Sequence, residues 1–486
     1  MRRLLAMNLA VLLLPAAWTA AAETETDYYA VMVADQKVGH MVRERTVDGE
    51  KVTSREKIVT TVLRNGSEVE MVIETINEET TAGKPLGFET ISKDSNSVTR
   101  TVGRRGDDGR WTVTQETAGQ TRTMTADYPS EALMPEGERL AARSHQFASG
   151  THFTIKSFSA TSMATVPIEV TIIGKEKIDL LGRVLEATRV EHLIHLPKGD
   201  VLEVRHLDDQ GRLVRIEGPA AHARVQFVRC DKAFATSKVQ STEDFFAGSY
   251  VPCPKPLPVL ASRLVLTLKP KGEAKIDVPQ TDSQKVETAF DGTVTVTIES
   301  NAVAGSQALP YDGSDAAALE ALKPTRYVQS DDELIVETAR REIGKTGDVV
   351  QAVRRLATWV DRRLSSKNLS VGYASASEAI RSREGDCTEH AVLLAALCRA
   401  AGVPARTATG MIYVRRVGTQ ANVFGAHQWT QVHIGGKWRD VDATVAPPYY
   451  TIGRIVLGTG LGDESDWSAL LGKFGTFEIV EAEIVK

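Results

Sequence analysis

Cysteine is scarce in this chain of 486 residues: there are four, at positions 230, 253, 387 and 398, too few for a disulfide scaffold. Basic clusters are missing and the formal charge is −5, so nothing focuses a field on nucleic acid and no such partner is expected. No apolar run approaches the length of a membrane span. CxxC, HxxxH and HExxH spacings are absent, which argues against a closed zinc site or a metalloprotease helix, and neither metal nor cofactor is expected. No repeat of 20 to 50 residues and no low-complexity tract occur, so solenoids and disordered arrays are set aside. What is present is 42% hydrophobic residues over a length that predicts two to four packed domains.

The chain begins Met1-Arg2-Arg3, runs apolar from Leu4 to Leu14, and passes through Ala20-Ala21-Ala22 to an acidic start at Glu23. This reads as a secretory signal peptide, residues 1–22, cleaved after Ala22, and predicts an exported protein, periplasmic or extracellular. No cysteine follows the small residues, so no lipid anchor is expected. With Arg2 and Arg3 set aside, 56 basic residues face 63 acidic ones, for −7. An oxidising compartment permits one bridge, and Cys230 and Cys253 flank the start of a proline-rich stretch, Val251 to Pro258. A bridge there would contribute about 3 kcal/mol; two separate thiols are the alternative. Cys398 lies about 16 Å along one helix from Cys387, too far to share a site, and reads as core.

From residue 27 to 230 short runs of Val, Ile and Thr alternate with polar residues, as in Lys57–Leu63, Glu68–Glu74, Val166–Ile173 and Val201–Arg205. Period-two alternation predicts a β-rich antiparallel domain, a long curved sheet, broken near 130–150. Prolines mark 231–261 as a linker, and a small β unit and linker follow at 262–320, with strands at Arg263–Leu268 and Gly292–Glu299 and a small-residue stretch from Ala302 to Ala321. Helical spacing then appears at 332–343, 348–364, 375–383 and 387–401, and strands at 406–414, 427–434 and 437–443 close the chain. The fold class is therefore α+β, with the mixed part at 325–486.

Gly385-Asp386-Cys387 opens the last of those helices. A cysteine at the positive end of a helix dipole is favoured as thiolate, the attacking species. Acyl transfer also needs a base and a group that holds the base. Gly435-Gly436 is a two-residue hairpin signal that pairs residues whose numbers sum to 871. Trp429 then faces Asp442, and His427 lies one diagonal away, about 7–8 Å, on the same face. Asp440 points the same way but pairs with Gln431, one step further. A three-residue loop would turn Asp442 to the other face. His433 shares the face, about 20 Å along the strand, and is expected at the surface. His390 is expected to pack or hydrogen-bond, and Glu389 and Asp386 to modify the site. Too few of Cys387, His427, His433 and Asp442 cluster to hold a metal.

The run from Ser382 through Cys387 to Arg406, followed by His427-Gln-Trp429 and by Trp438-Arg-Asp-Val-Asp442-Ala-Thr444, resembles the bacterial transglutaminase-like domain over about residues 325–450. The resemblance implies a papain-like fold with Cys387 as nucleophile, His427 as base and Asp442 as orienting acid. It implies attack on a peptide or carboxamide carbonyl and an acyl-enzyme resolved by an amine or by water, so either a transferase or a peptidase, with protein or peptide substrates. The Cys387 amide is the natural first oxyanion donor. Tyr373 and Trp359 are aromatic candidates upstream, although Trp359 lies on a helical stripe that reads as core, and Trp429 is placed to shield the acid–histidine bond. Gln428 departs from the family, where small or apolar residues are usual. The alternative from another class is an exported binding or assembly protein that uses its β-rich part, with the triad domain as scaffold. A third reading has the β-rich part covering the cleft until a partner arrives.

Overall fold

The computed structural model describes residues 22–485 apart from 34–35, 65–66, 95–96, 118–119, 127, 129–130, 162, 197–198, 221–222, 240–249, 259–261, 273, 365–373, 418–419, 446–451 and 463–472. The signal peptide up to residue 21 and Tyr373 lie outside the described residues.

The alternating N-terminal runs become fourteen strands of one antiparallel sheet between Glu23 and Cys230. Two meanders, residues 23–126 and 152–230, lie side by side through their first and last strands, where Tyr28 pairs with Cys230. The pleat is visible in Trp111–Thr117, where Trp111, Val113, Gln115 and Thr117 are buried and the residues between them are not. Where the pattern breaks, a helix forms at Pro135–Ser144, and the Glu79 carboxylate accepts from the amides of Glu136 and Gly137 at 2.7 and 2.9 Å. Phe158 of the second meander packs on Phe88 and Trp111 of the first, with ring centroids 5.3 and 6.5 Å apart. The sheet thus curls until its two halves share a core.

Helices occupy Glu333–Ile343, Val349–Arg363, Ala376–Ser382 and Cys387–Ala400, each within a few residues of its expected span. Asp332, Asp348, Ser375 and Asp386 cap them with side-chain hydrogen bonds. Their apolar faces form one core, which includes Cys398, is flanked by Trp359, and continues onto a five-stranded antiparallel sheet through Ala405, Val432 and Ile434. In that sheet Val251–Pro252, Gln420–Ile434, Ala405–Val417 and Arg454–Gly460 follow one another, and Lys437–Val441 pairs with Gln420–Ile434. A four-stranded sheet (Gln284–Thr288, Val294–Glu299, Arg263–Pro270, Phe477–Val485) packs Leu264, Leu266 and Leu268 with Met411, Phe424 and Ile455. The small β unit at 262–320 is therefore completed by the far end of the chain.

Two readings take a more definite form. Residues 231–261 are more than a linker: they contain a helix, Lys232–Ala235, and the edge strand Val251–Pro252, an edge being the place where proline is tolerated in a sheet. The Cys230–Cys253 bridge is not formed. Cys230 ends a strand of the large sheet, whereas the Cys253 amide bonds to the Asn422 carbonyl beside the five-stranded one. The two parts of the chain touch where Arg326 Nη1 donates to the Thr161 carbonyl at 2.8 Å and Arg122 pairs with Asp331. Among the described residues no helix is long and apolar enough to cross a membrane.

Candidate active site

The site begins with a turn. Gly435 and Gly436 have φ of +62° and +74°, the left-handed geometry of a tight two-residue hairpin, and the loop pairs Ile434 with Lys437 and Gln431 with Asp440. This is the register whose numbers sum to 871. Alternation along each strand then sends His427, Trp429, Gln431, Asp440 and Asp442 to one face.

On that face the two aspartates take different partners. His427 Nε2 lies 2.8 Å from Asp442 Oδ2. Asp440 Oδ1 accepts from Trp429 Nε1 at 2.7 Å and Gln431 Nε2 at 2.8 Å, and its Oδ2 accepts from Asn301 Nδ2 at 3.2 Å. Trp429 also stacks on His427, ring centroids 6.0 Å apart, and keeps water from that side of the imidazole. Burial alone would raise the Asp442 carboxyl, but the charges of His427 and Arg454 and hydrogen bonds from His427 and Thr444 hold it well below the usual carboxylate range. An ionised carboxylate only accepts, so His427 carries its proton on Nε2 and leaves Nδ1 as the basic nitrogen.

Cys387 is the first residue of its helix and is half-buried. Asp386 caps it, accepting from the Thr388 amide at 3.1 Å, while Glu389 reaches back to the Asp386 amide at 2.9 Å, a capping box. Thr430 Oγ1 donates to the Ala391 carbonyl at 2.9 Å and sets the level of helix against strand. His433 N bonds to the Pro404 carbonyl just past the helix end, so helix and strand run the same way. Four residues back along the helix from Ala391 is about 6 Å, and two back along the strand from Thr430 is about 7 Å. Cys387 thus stands near the level of Gln428, on the face of the strand that Thr430 and Val432 present to the helix, while His427 projects from the other face.

Glu389 is fully buried, and burial, then the Asp386 charge, push its carboxyl well above the usual range. Proton counting agrees. Thr388 Oγ1 lies 2.9 Å from both Asp386 Oδ1 and Glu389 Oε1. One hydroxyl proton serves one of them, so Glu389 supplies the other.

The remaining candidates separate from the site. Burial pushes the Cys398 thiol up to about 12. His390 donates Nδ1–H to the Asp386 carbonyl. His433, expected at the surface, is buried: residues 301–311 fold over the strand end, Gln307 Nε2 bonds to the His433 carbonyl at 3.0 Å, and the ring packs edge-on to Tyr311 and Trp438.

Arg454 was not anticipated. It lies in Arg454–Gly460, is 1% exposed, and its Nη2 donates to Asp442 Oδ2 at 2.6 Å. The signal available in sequence is a single arginine inside the otherwise apolar run Ile452 to Leu457. Thr444 completes the carboxylate, its amide and hydroxyl donating to Oδ1 at 2.9 and 2.6 Å.

Comparison with known proteins places a transglutaminase-like domain in the C-terminal third: residues 337–443 match the core of the transglutaminase-like superfamily. The match contains Cys387, His427 and Asp442. No curated protein matches the chain in sequence. Among solved structures, similarity extends to a candidate cysteine protease from Cytophaga hutchinsonii (21% identity, TM-score 0.33, 47% of this chain and 89% of that one). A β-barrel-like protein of a domain of unknown function from Brucella abortus is also similar (14%, TM-score 0.34, 42% and 95%). So is a candidate protease from Parabacteroides distasonis (13%, TM-score 0.19, 72% and 64%).

Proposed function

We propose that this protein is an exported thiol-dependent enzyme that acts on amide carbonyls of peptides or proteins. Cys387 attacks, His427 Nδ1 takes the thiol proton and later gives it to the leaving amine, and Asp442 holds the imidazole. The observation that carries the reading is the buried His427–Asp442 bond, 2.8 Å long, on the strand that packs against the Cys387 helix and inside the transglutaminase-like match. Helix dipole and imidazolium both favour thiolate at Cys387. The acyl-enzyme would be resolved by an amine, as in transamidation, or by water, as in proteolysis. The Cys387 amide, at the helix start, would donate to the oxyanion. A helix that starts at the proposed nucleophile, packed on an antiparallel sheet that carries the proposed base and acid, supports a papain-like core. Export rests on the leader-like sequence Met1–Ala22.

The test offers the mature protein a glutamine peptide with a labelled amine, and separately a labelled generic protein. Amine incorporation or cleavage that disappears in Cys387→Ala supports the reading. Failure of every substrate, together with a Cys387 that resists iodoacetamide at neutral pH, refutes it. N-terminal sequencing of the exported fraction checks the leader: a start at Glu23 is expected, and retention of Met1 in the cytoplasm would refute export.

A further inference from the structure

Asp442 serves two donors through one atom. Oδ2 accepts from His427 Nε2 at 2.8 Å and from Arg454 Nη2 at 2.6 Å, while Thr444 occupies Oδ1. Arginine and aspartate are both 1% exposed at their side chains, so the pair sits in a medium where each charge counts heavily. Guanidinium does not titrate in the working range. With His427 neutral, Arg454 and Asp442 cancel; when His427 takes a proton, the three groups carry one net positive charge. A lone carboxylate would instead move from −1 to zero and hold that proton tightly.

The strand that carries Arg454 is brought in closely. It pairs with Ala405–Val417 across a register shift between Thr409 and Gly410, and Gly410 faces His427 on its other side. A Cβ at Gly410 would lie 1.9 Å from the Ile455 carbonyl oxygen, so only glycine permits this approach. On the next residue the Gln284 side chain holds both the amide and the carbonyl of Val456, at 2.9 and 2.8 Å.

We propose that Arg454 is a positioning residue of the thiol site: it fixes the Asp442 carboxylate and, by sharing Oδ2, limits how firmly His427 keeps the proton it takes from Cys387. The inference rests on the thiol reading above. A base that must return its proton to a leaving amine works best when it does not hold that proton too tightly, and the arginine supplies the opposing charge. The other titratable or charged groups around the pair are Asp440, engaged by Trp429, Gln431 and Asn301, Arg406, stacked over Trp438, and Cys387, Asp386, Glu389 and His390 on the helix. Arg454 itself is ion-paired with Asp442.

The test needs no substrate. Alkylation of Cys387 by iodoacetamide, read by mass spectrometry on the full mature chain, is followed from acid to alkaline pH in wild type, R454M and R454K. Circular dichroism melts confirm the fold. A thiolate–imidazolium pair gives alkylation well below the ordinary thiol range and a second change in rate where the imidazolium loses its proton. That second change moves up by about one to two pH units in R454M and returns most of the way in R454K. Should R454M not fold, D442N and D442N/R454M replace the comparison, since the double variant removes both buried charges; its second change should lie above that of D442N. Coincident profiles in the folded pair, or no recovery in R454K, overturn the proposal while leaving the thiol reading standing. A wild-type Cys387 that alkylates only as an ordinary thiol, from about pH 8 upward, overturns both.

Discussion

Replacing Asp442 with asparagine tests the site most directly. The carboxylate receives four donors, His427 Nε2 and Arg454 Nη2 on Oδ2 and the amide and hydroxyl of Thr444 on Oδ1. An asparagine offers one acceptor oxygen and one NH2, so either orientation sets the NH2 against donors and leaves Arg454 buried with no counter-charge. Losing one member of a buried ion pair costs about 3–5 kcal/mol, and a further hydrogen bond adds about 1 kcal/mol. D442N should therefore lose about 4–6 kcal/mol at pH 7 by urea unfolding. The sign follows from the depressed carboxyl: its stabilisation is present above the unfolded value, about 3.9, and is lost as pH falls through the lower folded one. The gap between wild type and D442N should thus hold from pH 8 to about pH 4 and close only in stronger acid. Chemistry should suffer more than stability. With the NH2 turned toward Nε2 the imidazole carries its proton on Nδ1, where the base is needed, and turnover should drop by roughly a thousandfold or more. D440N is the control: Asp440 binds Trp429, Gln431 and Asn301 and not His427, so D440N should lose about 1–3 kcal/mol yet keep Cys387 alkylation within about threefold of wild type, which any effect above 1 kcal/mol on the barrier would exceed. The reasoning is refuted if D442N unfolds within about 1 kcal/mol of wild type, or if D440N is the slower variant.

Glu389→Gln should lose about 1–3 kcal/mol at pH 5, because its NH2 must face the Ala374 or the Asp386 amide that the carboxyl oxygens now serve. Since the Glu389 carboxyl is raised in the fold, its stabilisation is full below the unfolded value and fades as pH rises, so the gap to E389Q should narrow by pH 9. Thermal melts in which it widens instead would refute the protonated assignment. Burial pushes the Glu79 carboxyl up to about 7, against the lowering effect of the Glu136 and Gly137 amides. Its contribution should therefore fade as pH rises from about 4.5 through 7, by on the order of 3 kcal/mol; urea midpoints at pH 5 and 8 should show this in wild type, and an equal fall in E79Q would assign it elsewhere. Gly410→Ala should cost at least about 1–3 kcal/mol by overpacking against Ile455 and should slow turnover through Arg454 and Asp442; an unchanged melting temperature would show that the strand yields freely.

The residues of this site differ in how visible they were, and the difference has a physical cause. Helices and hairpins are local, so the caps at Asp332, Asp348, Ser375 and Asp386 and the Gly435-Gly436 turn carried their geometry in a few neighbouring letters. From the turn alone followed the register, and from the register the separation of Asp442 from Asp440. Arg454 follows no such rule. It reaches Asp442 from another strand, across a register shift at Gly410, and local sequence encodes neither the strand order nor the shift. His433 was misplaced for the same reason, because the segment that buries it, residues 301–311, reads as small-residue linker. The fourteen-stranded sheet was legible as alternation; its curl, set by Phe158 against Phe88 and Trp111, was not legible as a contact.

The edge of the His427 strand carries two short ladders. Val251 and Pro252 pair with Phe424 and Val423, and the Cys253 amide reaches Asn422; Lys437–Val441 pairs with the residues from Thr430 to Ile434 on the same side. Among the described residues neither ladder extends over Gly425 to Trp429. A single continuous strand along this edge would have carried Asp442 onward in register, opposite Trp429 and at a diagonal from His427. The second ladder ends after Val441, and Asp442 follows it, held by the amide and hydroxyl of Thr444. The diagonal of about 7–8 Å in a regular ladder is a backbone spacing, and across it imidazole and carboxylate reach each other in a 2.8 Å hydrogen bond.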